Sequence, residues 1–186
     1  MGQEQDKSFD LERYCAYLSL LGRMQLDSRL SGKVDVSGVV QLTLMEALEQ
    51  QRVWQTFDET ARTAWIRKVF ARNLVDAVRR VRAKVRDVTR EQSLEMGLEQ
   101  SASRLNAWLA DDQPSPSQNA IREERALQLA SALAQIPSEQ REAIELHHLH
   151  ALPLAEVAER MARTKGAIAA LVFRGTKRLR ELLKEE

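Results

Sequence analysis

The stretch from Leu154 to Arg180, LAEVAERMARTKGAIAALVFRGTKRLR, decides the fold of the chain that contains it. Its apolar residues recur at helical spacing over 154–161 and again from residue 165, and only residues 162–164 separate the two segments. Two helices joined by so short a turn are typical of a helix-turn-helix, in which the first helix braces the second in the major groove of DNA. Thr164 is predicted to cap the second helix, because its hydroxyl can accept a hydrogen bond from a free backbone N–H.

Helical spacing of apolar residues extends over most of the 186-residue chain, which has only seven glycines and four prolines. Further helices are predicted over 10–28, 36–52, 60–87, 120–134 and 138–149, followed by 154–161 and 165–184. Residues 111–118, DDQPSPSQ, break the pattern with two prolines. The sequence therefore predicts an all-α fold of two small helical domains, residues 1–92 and 119–186, joined by a linker over 93–118. The spacing of Leu94, Leu98 and Leu105 is compatible with a docked helix in that linker.

Charge is distributed unevenly along the chain, although the formal net charge is only +1. Residues 61–92 carry ten basic and three acidic side chains, and residues 160–180 carry seven basic and no acidic side chains. Each cation that neutralises a phosphate releases condensed counterions, so local basic density favours binding of a polyanion. Two basic segments on two predicted domains indicate nucleic acid as the partner, with solvated helix faces as the alternative.

Composition excludes several classes of protein. Hydrophobic residues at 44% and charged residues at 30% indicate a soluble chain, and no apolar run approaches the roughly 18 residues that cross a bilayer. The first residues lack the basic stretch and apolar core of a secretory signal, so we expect a cytoplasmic protein. The single cysteine, Cys15, cannot form an internal disulfide or a cysteine-rich zinc site.

One face of the predicted helix over 60–87 is basic. Five side chains project within about 80° of one another: Lys68, Arg72, Arg79, Arg82 and Arg86. Trp65 lies near the start of this helix, and an aromatic ring beside a cationic stripe can stack on an unpaired base. Core packing is the alternative for Trp65, as it is for Trp54 and Phe57.

The predicted helix over 36–52 has two apolar faces. One is a core stripe formed by Val36, Val39, Val40, Thr43 and Ala47. The other carries Gly38, Gln41, Leu42 and Met45, which suggests either a surface for a partner or a helix buried on both sides.

Taken in order, these segments resemble the extracytoplasmic-function (ECF) sigma factors of bacterial RNA polymerase, and the resemblance covers nearly the whole chain. Residues 34–41, VDVSGVVQ, are similar to the helix with which the family binds core polymerase. Residues 64–66, AWI, with 71–74, ARNL, and Asp76 are similar to the helix that melts the promoter and recognises its -10 element. Residues 136–146 and 154–161 resemble the domain that recognises the -35 element.

The resemblance implies an RNA polymerase sigma factor that directs promoter recognition and transcription initiation, without enzymatic activity, cofactor or metal ion. Core RNA polymerase and promoter DNA are the implied partners, with an anti-sigma factor or another regulator as a further one. The residues implied to bind core polymerase are Asp35, Gln41, Leu42 and Met45. The residues implied to recognise the -10 element and melt the promoter are Trp65, Lys68, Arg72, Asn73, Asp76, Arg79, Arg80, Arg82 and Arg86, and either Arg72 or Asn73 is expected to face a base. The residues implied to contact the -35 element are Thr164, Lys165, Phe173, Arg174, Lys177 and Arg178.

The chain departs from the family pattern at several positions. Asn73 lies one place later than the family's commonest Asn, and Ala169 and Ala170 stand where many members carry polar residues that read bases. Gly38 and Leu42 stand where acidic residues are usual, so contacts with core polymerase would depend on Asp35, Gln41 and Met45. Ala162 stands in a turn where glycine is usual, and a left-handed backbone there costs a non-glycine residue about 1 kcal/mol or more.

Parts of the sequence also fit two other functions. A stand-alone transcriptional regulator would use the same helix-turn-helix as a dimer on a palindromic site. A metal-dependent hydrolase would use Glu142, Glu145, His147, His148 and His150, of which His147 and His150 are about one helical turn apart.

Overall fold

The structure, a computed structural model, describes residues 11–26, 30, 32–82, 96–98, 100–101 and 119–185, and every regular element in these ranges is helical. The N-terminal half contains α1 (Leu11–Gln25), α2 (Val36–Glu49), α3 (Gln51–Trp54) and α4 (Glu59–Arg82). The C-terminal half contains α5 (Asn119–Gln135), α6 (Ser138–Ile144), a π-helical turn (Glu145–Leu149), α7 (Leu154–Arg160) and α8 (Lys165–Glu185). The all-α prediction is confirmed. No helix in the described ranges is long and apolar enough to cross a membrane.

Helix bounds differ from the predictions where local hydrogen bonds end a helix early. The helix predicted over 36–52 ends at Glu49, and residues 51–54 form the separate turn α3. Asp35 caps the start of α2, because its Oδ1 accepts a hydrogen bond from the backbone N–H of Gly38 at 3.0 Å. The helix predicted over 138–149 widens into the π-helical turn in its last five residues, where the N–H of His150 donates to the carbonyl of Glu145 at 2.9 Å.

Helices α1, α2 and α4 pack their apolar side chains into one cluster. Val39, Val40, Thr43 and Ala47 of α2 are buried, which confirms most of the predicted core stripe. Val36 is half-buried against the same core. In α4, Ile66, Phe70 and Leu74 are fully buried, whereas Val81 is 38% exposed near the end of the described part of the helix.

The N-terminal and C-terminal helices share one hydrophobic cluster. Leu127 and Leu133 of α5 belong to the same cluster as Tyr17 of α1 and Phe70 of α4, since α5 packs against both α1 and α4. The prediction of two small helical domains holds for the order of the helices, but in this structure the two halves lie against each other. The predicted boundaries at residues 92 and 119 flank a stretch that lies mostly outside the described residues.

A short part of the predicted linker docks at this junction. Residues 96–98 and 100–101 are helical, and Leu98 is buried in the shared cluster. Gln25 at the end of α1 donates a hydrogen bond to the carbonyl of Gly97 at 2.6 Å. The part of the linker that the structure describes is therefore docked.

The turn between α7 and α8 has a left-handed residue, as the sequence comparison with the family suggested. Ala162 has φ of +50°. Its N–H donates to the carbonyl of Glu159 at 3.2 Å, and the N–H of Arg163 donates to the carbonyl of Ala158 at 2.9 Å. These two bonds form a Schellman motif, which satisfies the last carbonyls of α7 and offsets part of the cost of a left-handed alanine.

Close packing holds the helix-turn-helix in place. Val157 and Ala158 of α7 and Ile168 and Leu171 of α8 form a second, smaller cluster with Ala143 of α6. Helix α8 also crosses α6 closely at Gly175, where an added Cβ would lie 2.7 Å from Cδ1 of Ile144. The exposed side of α8 is thereby set at a fixed angle to α7.

Candidate nucleic-acid and polymerase interfaces

The solvent-facing side of α8 carries the side chains predicted to contact the -35 element. We call Lys165, Phe173, Arg174, Lys177 and Arg178 the α8 face, and all five are exposed. Phe173 has 72% of its surface exposed. The Thr164 cap is confirmed, because its Oγ1 accepts a hydrogen bond from the N–H of Ala167 at 3.2 Å.

Two residues of the α8 face also border an apolar groove of about 570 Å³. Phe173 and Lys177 line it together with His147 of the π-helical turn and Leu154 at the start of α7. The groove therefore runs along α8 from Ala169 to Lys184.

The exposed side of α4 is basic, as predicted. We call Lys68, Arg72, Arg79 and Arg80 the α4 basic face; Lys68, Arg72 and Arg80 are exposed, and Arg79 is half-buried. Arg79 lies 3.5 Å from Asp76 in an ion pair one turn apart. Arg82 ends the described part of the helix, but its side chain and the whole of Arg86 lie outside the described residues.

Asn73 does not belong to this face. Its side chain is only 5% exposed, and its Nδ2 donates to Oγ1 of Thr43 in α2 at 3.2 Å. Asn73 therefore joins α4 to α2 in this structure, and its side chain is not available to DNA at the surface. Of the two candidates for a base contact, Arg72 is the one at the surface.

Trp65 lies at the surface edge of the core. It is half-buried and lines a groove of about 310 Å³ together with Gln50, Lys68 and Arg72. Trp54, by contrast, is buried and donates from Nε1 to the carbonyl of Ala47 at 2.6 Å, so core packing is confirmed for it. The groove beside Trp65 combines an aromatic wall with two cations, which is the chemistry that holds an unstacked base and its phosphate.

The outer side of α2 is apolar and exposed. Leu42, Met45 and Leu48 form the α2 patch, with Met45 59% exposed. Val53 of α3 is also exposed, at 52%. The alternative that α2 is buried on both sides is therefore wrong for this structure. Gln41 is exposed beside the patch, and Asp35 is exposed at the N-terminus of the helix that it caps.

Ion pairs between the two halves were not predicted from the sequence. Arg67 of α4 donates from Nη1 to Oε1 of Glu123 in α5 at 3.1 Å and to the hydroxyl of Tyr17 at 3.1 Å. Arg23 of α1 makes a two-point contact with Glu145, at 3.1 Å and 2.9 Å. The sequence contains one indication of the Arg67 contact. Arg67 lies between the core residues Ile66 and Phe70, and a cation buried in a core needs a carboxylate partner.

The residues of the hydrolase hypothesis serve other contacts. The Glu145 carboxylate is buried against Arg23, and Nδ1 of His147 lies 2.8 Å from the carbonyl oxygen of Leu152. Burial lowers the pKa of His148, and the adjacent His147 acts in the same direction. In the described part of the chain, no group of three or more His, Cys, Asp and Glu side chains is placed to hold a metal ion. This geometry gives the hydrolase hypothesis no support.

Comparisons with known proteins identify the family of the chain. The sequence model of the family described as "Sigma-70, region 4" matches residues 126–179, which include most of α5, all of α6 and α7, and most of α8. The ECF RNA polymerase sigma factor SigF of Caulobacter vibrioides (strain NA1000 / CB15N) is 31% identical over 179 residues, covering 94% of this chain and 88% of the relative.

The chain belongs to the ECF sigma factors of RNA polymerase. It is a sigma factor that directs promoter recognition and transcription initiation, and a stand-alone regulator is not needed to explain its helix-turn-helix. Among solved structures, it is similar to the sigma factor RpoE in complex with the anti-sigma factor NepR from Bartonella quintana, with 18% identity, 94% coverage of both chains and a TM-score of 0.36.

Proposed function

We propose that this sigma factor binds core RNA polymerase through the α2 patch, contacts the -35 element through the α8 face and captures the -10 strand at the α4 basic face. It acts in the cytoplasm, supplies no catalytic group and needs no cofactor or metal ion. The observation that carries the proposal is the groove beside Trp65, where Lys68 and Arg72 stand next to an aromatic ring on the surface.

Promoter opening follows from the chemistry of that groove. A base that leaves the duplex loses its stacking partner, and stacking on an aromatic ring returns roughly 1–3 kcal/mol per base. The neighbouring Lys68 ammonium attracts the phosphate of the same nucleotide. Capture of one strand therefore lowers the free energy of the open duplex relative to the closed one.

Upstream recognition depends on the α8 face. The guanidinium of Arg174 can donate two hydrogen bonds to the O6 and N7 atoms of a guanine, and Phe173 can contact the methyl group of a thymine. Thr164 caps α8 by accepting a hydrogen bond from the N–H of Ala167. Lys165 and Gly166 at the start of the helix are exposed, and a phosphate can bind at such a helix N-terminus.

The closed arrangement of the two halves does not fit both promoter elements at once. A compact chain of this length has a radius of gyration of about 16 Å, whereas elements centred near -10 and -35 lie about 25 base pairs, or roughly 85 Å, apart. The two halves must therefore separate on the promoter, which breaks the Arg67–Glu123 and Arg23–Glu145 ion pairs. Core polymerase supplies the surface on which the separated halves are held.

The α2 patch also suits a regulator. An anti-sigma factor or another regulator that covered Met45 and Leu42 would block the surface that core polymerase needs. The patch is apolar and exposed in the free chain, so either partner gains free energy by burying it.

The polymerase contact is tested by co-purification with core enzyme. Met45→Glu places a charge in the α2 patch, and we expect it to reduce retention on core polymerase at least tenfold. Met96→Glu is the matched control, because Met96 is 62% exposed and lies outside α2. Equal retention of the two variants would contradict the assignment of the α2 patch.

A further inference from the structure

An acidic side chain from α2 reaches the α4 basic face. The carboxylate of Glu46 forms an ion pair with the guanidinium of Arg72 through Oε2 and Nη2. The Arg72 side chain keeps 58% of its surface exposed, and that of Glu46 keeps 23%. The contact therefore lies at the surface, where a DNA strand would meet the same guanidinium.

Two anions cannot use Arg72 equally well. A phosphate that approaches Arg72 must displace the Glu46 carboxylate or lie beside it, and two like charges about 4 Å apart repel by about 1 kcal/mol even in water. While Glu46 holds Arg72, that cation also contributes little to the release of counterions from a nucleic acid.

The position of Glu46 in α2 makes this contact more than a surface ion pair. Glu46 follows Met45 of the α2 patch directly in sequence, and Arg72 lines the groove beside Trp65. The residue thus stands between the surface assigned to core polymerase and the groove assigned to the -10 strand.

We propose that Glu46 is an internal competitor of the DNA strand for Arg72, and that it lowers the affinity of the free sigma factor for single-stranded DNA. Glu46 is a positioning residue, since it acts through Arg72 and touches no base. This inference rests on the proposed role of the α4 basic face.

The test compares Glu46→Gln with Glu49→Gln in the full-length protein. Glu49 is exposed at the end of the same helix, so both variants change the net charge equally. Binding of a labelled single-stranded oligonucleotide of about a dozen nucleotides and mixed sequence is followed by fluorescence anisotropy over a range of salt concentrations. Unfolding in urea shows whether both variants fold as the wild type does.

We expect Glu46→Gln to bind the oligonucleotide about three to ten times more tightly than the wild type at low salt. The dependence of log affinity on log salt should become steeper by about 0.7, the value for one further phosphate contact on a single strand. Glu49→Gln should change neither quantity appreciably, and Glu46→Asp, which keeps the charge, should behave like the wild type.

Variants of Arg72 separate this inference from the proposed function. We expect Arg72→Ala to weaken binding, and Glu46→Gln added to Arg72→Ala to give no gain. If Arg72→Ala weakens binding while Glu46→Gln binds the oligonucleotide no more tightly than Glu49→Gln does, the competitor role alone is overturned. The competitor role alone is also overturned if neither Glu46→Gln nor Glu49→Gln binds the oligonucleotide. If Arg72→Ala binds as well as the wild type, both this role and the assignment of Arg72 to the -10 strand are overturned.

Discussion

Arg67 of α4 and Glu123 of α5 form a buried ion pair, with Nη1 3.1 Å from Oε1, although 56 positions separate them in the sequence. The side chains keep only 8% and 11% of their surface exposed. Arg67 also donates to the hydroxyl of Tyr17, so α1, α4 and α5 meet at one guanidinium. The pair joins the half that carries the α4 basic face to the half that carries the α8 face.

The first prediction concerns the free energy of unfolding. Glu123→Ala leaves the Arg67 cation buried without its carboxylate, and we expect a loss of about 3 kcal/mol. The neighbouring Glu124→Ala is the control, because its ion pair with Arg13 is much more exposed and should be worth less than about 1 kcal/mol. Equilibrium unfolding in urea measures both, and equal losses would show that the Arg67–Glu123 pair does not hold the halves together.

Loss of the same pair should also favour separation of the halves. We expect spin labels placed on α4 and α8 to show a larger fraction of long distances in Glu123→Ala than in the wild type. An unchanged distance distribution in a variant of reduced stability would mean that the shared hydrophobic cluster alone keeps the halves in contact.

A second prediction concerns upstream recognition. Arg174→Ala removes a two-point contact with a base, so binding at the -35 element should weaken by about 1–3 kcal/mol, whereas binding to unrelated duplex DNA should change little. Arg180→Ala removes the same charge from the same helix further along and serves as the control. The measurement is the affinity of holoenzyme for promoter and non-promoter fragments at several salt concentrations. An equal loss of affinity for promoter and non-promoter fragments would indicate that Arg174 contacts a phosphate and not a base.

A third prediction concerns promoter opening. Trp65→Ala removes the aromatic wall of the groove, and the loss of one stacked base should reduce the open complex by a factor of about 5 to 150. Trp65→Phe keeps an aromatic ring and should retain most of the opening. Permanganate reactivity of thymines near the start site reports the open fraction. Equal opening by Trp65→Ala and the wild type, with normal binding to the closed promoter, would contradict a stacking role.

Local patterns in the sequence predicted the features that depend on residues close together in the chain. The helices and the Thr164 cap follow from spacing or from one turn of backbone. The left-handed Ala162 was expected from the family resemblance, and the sequence left open whether the outer side of α2 is exposed or buried. The Arg67–Glu123 pair and the burial of Asn73 did not follow, because they depend on which helix packs against α4. A helical wheel places Asn73 next to Arg72, but only the contact with Thr43 shows that its amide is used inside the protein.

Run-off transcription tests the central claim most directly. Purified core polymerase is incubated with fragments of the host genome in four reactions, which contain the wild-type chain, the Arg174→Ala variant, the Arg72→Ala variant or no sigma factor. We predict new transcripts with defined start sites only when the chain is present, fewer of them with Arg174→Ala because promoter binding is weaker, and fewer with Arg72→Ala because fewer bound promoters open. Start sites that are the same with and without the chain would contradict the account.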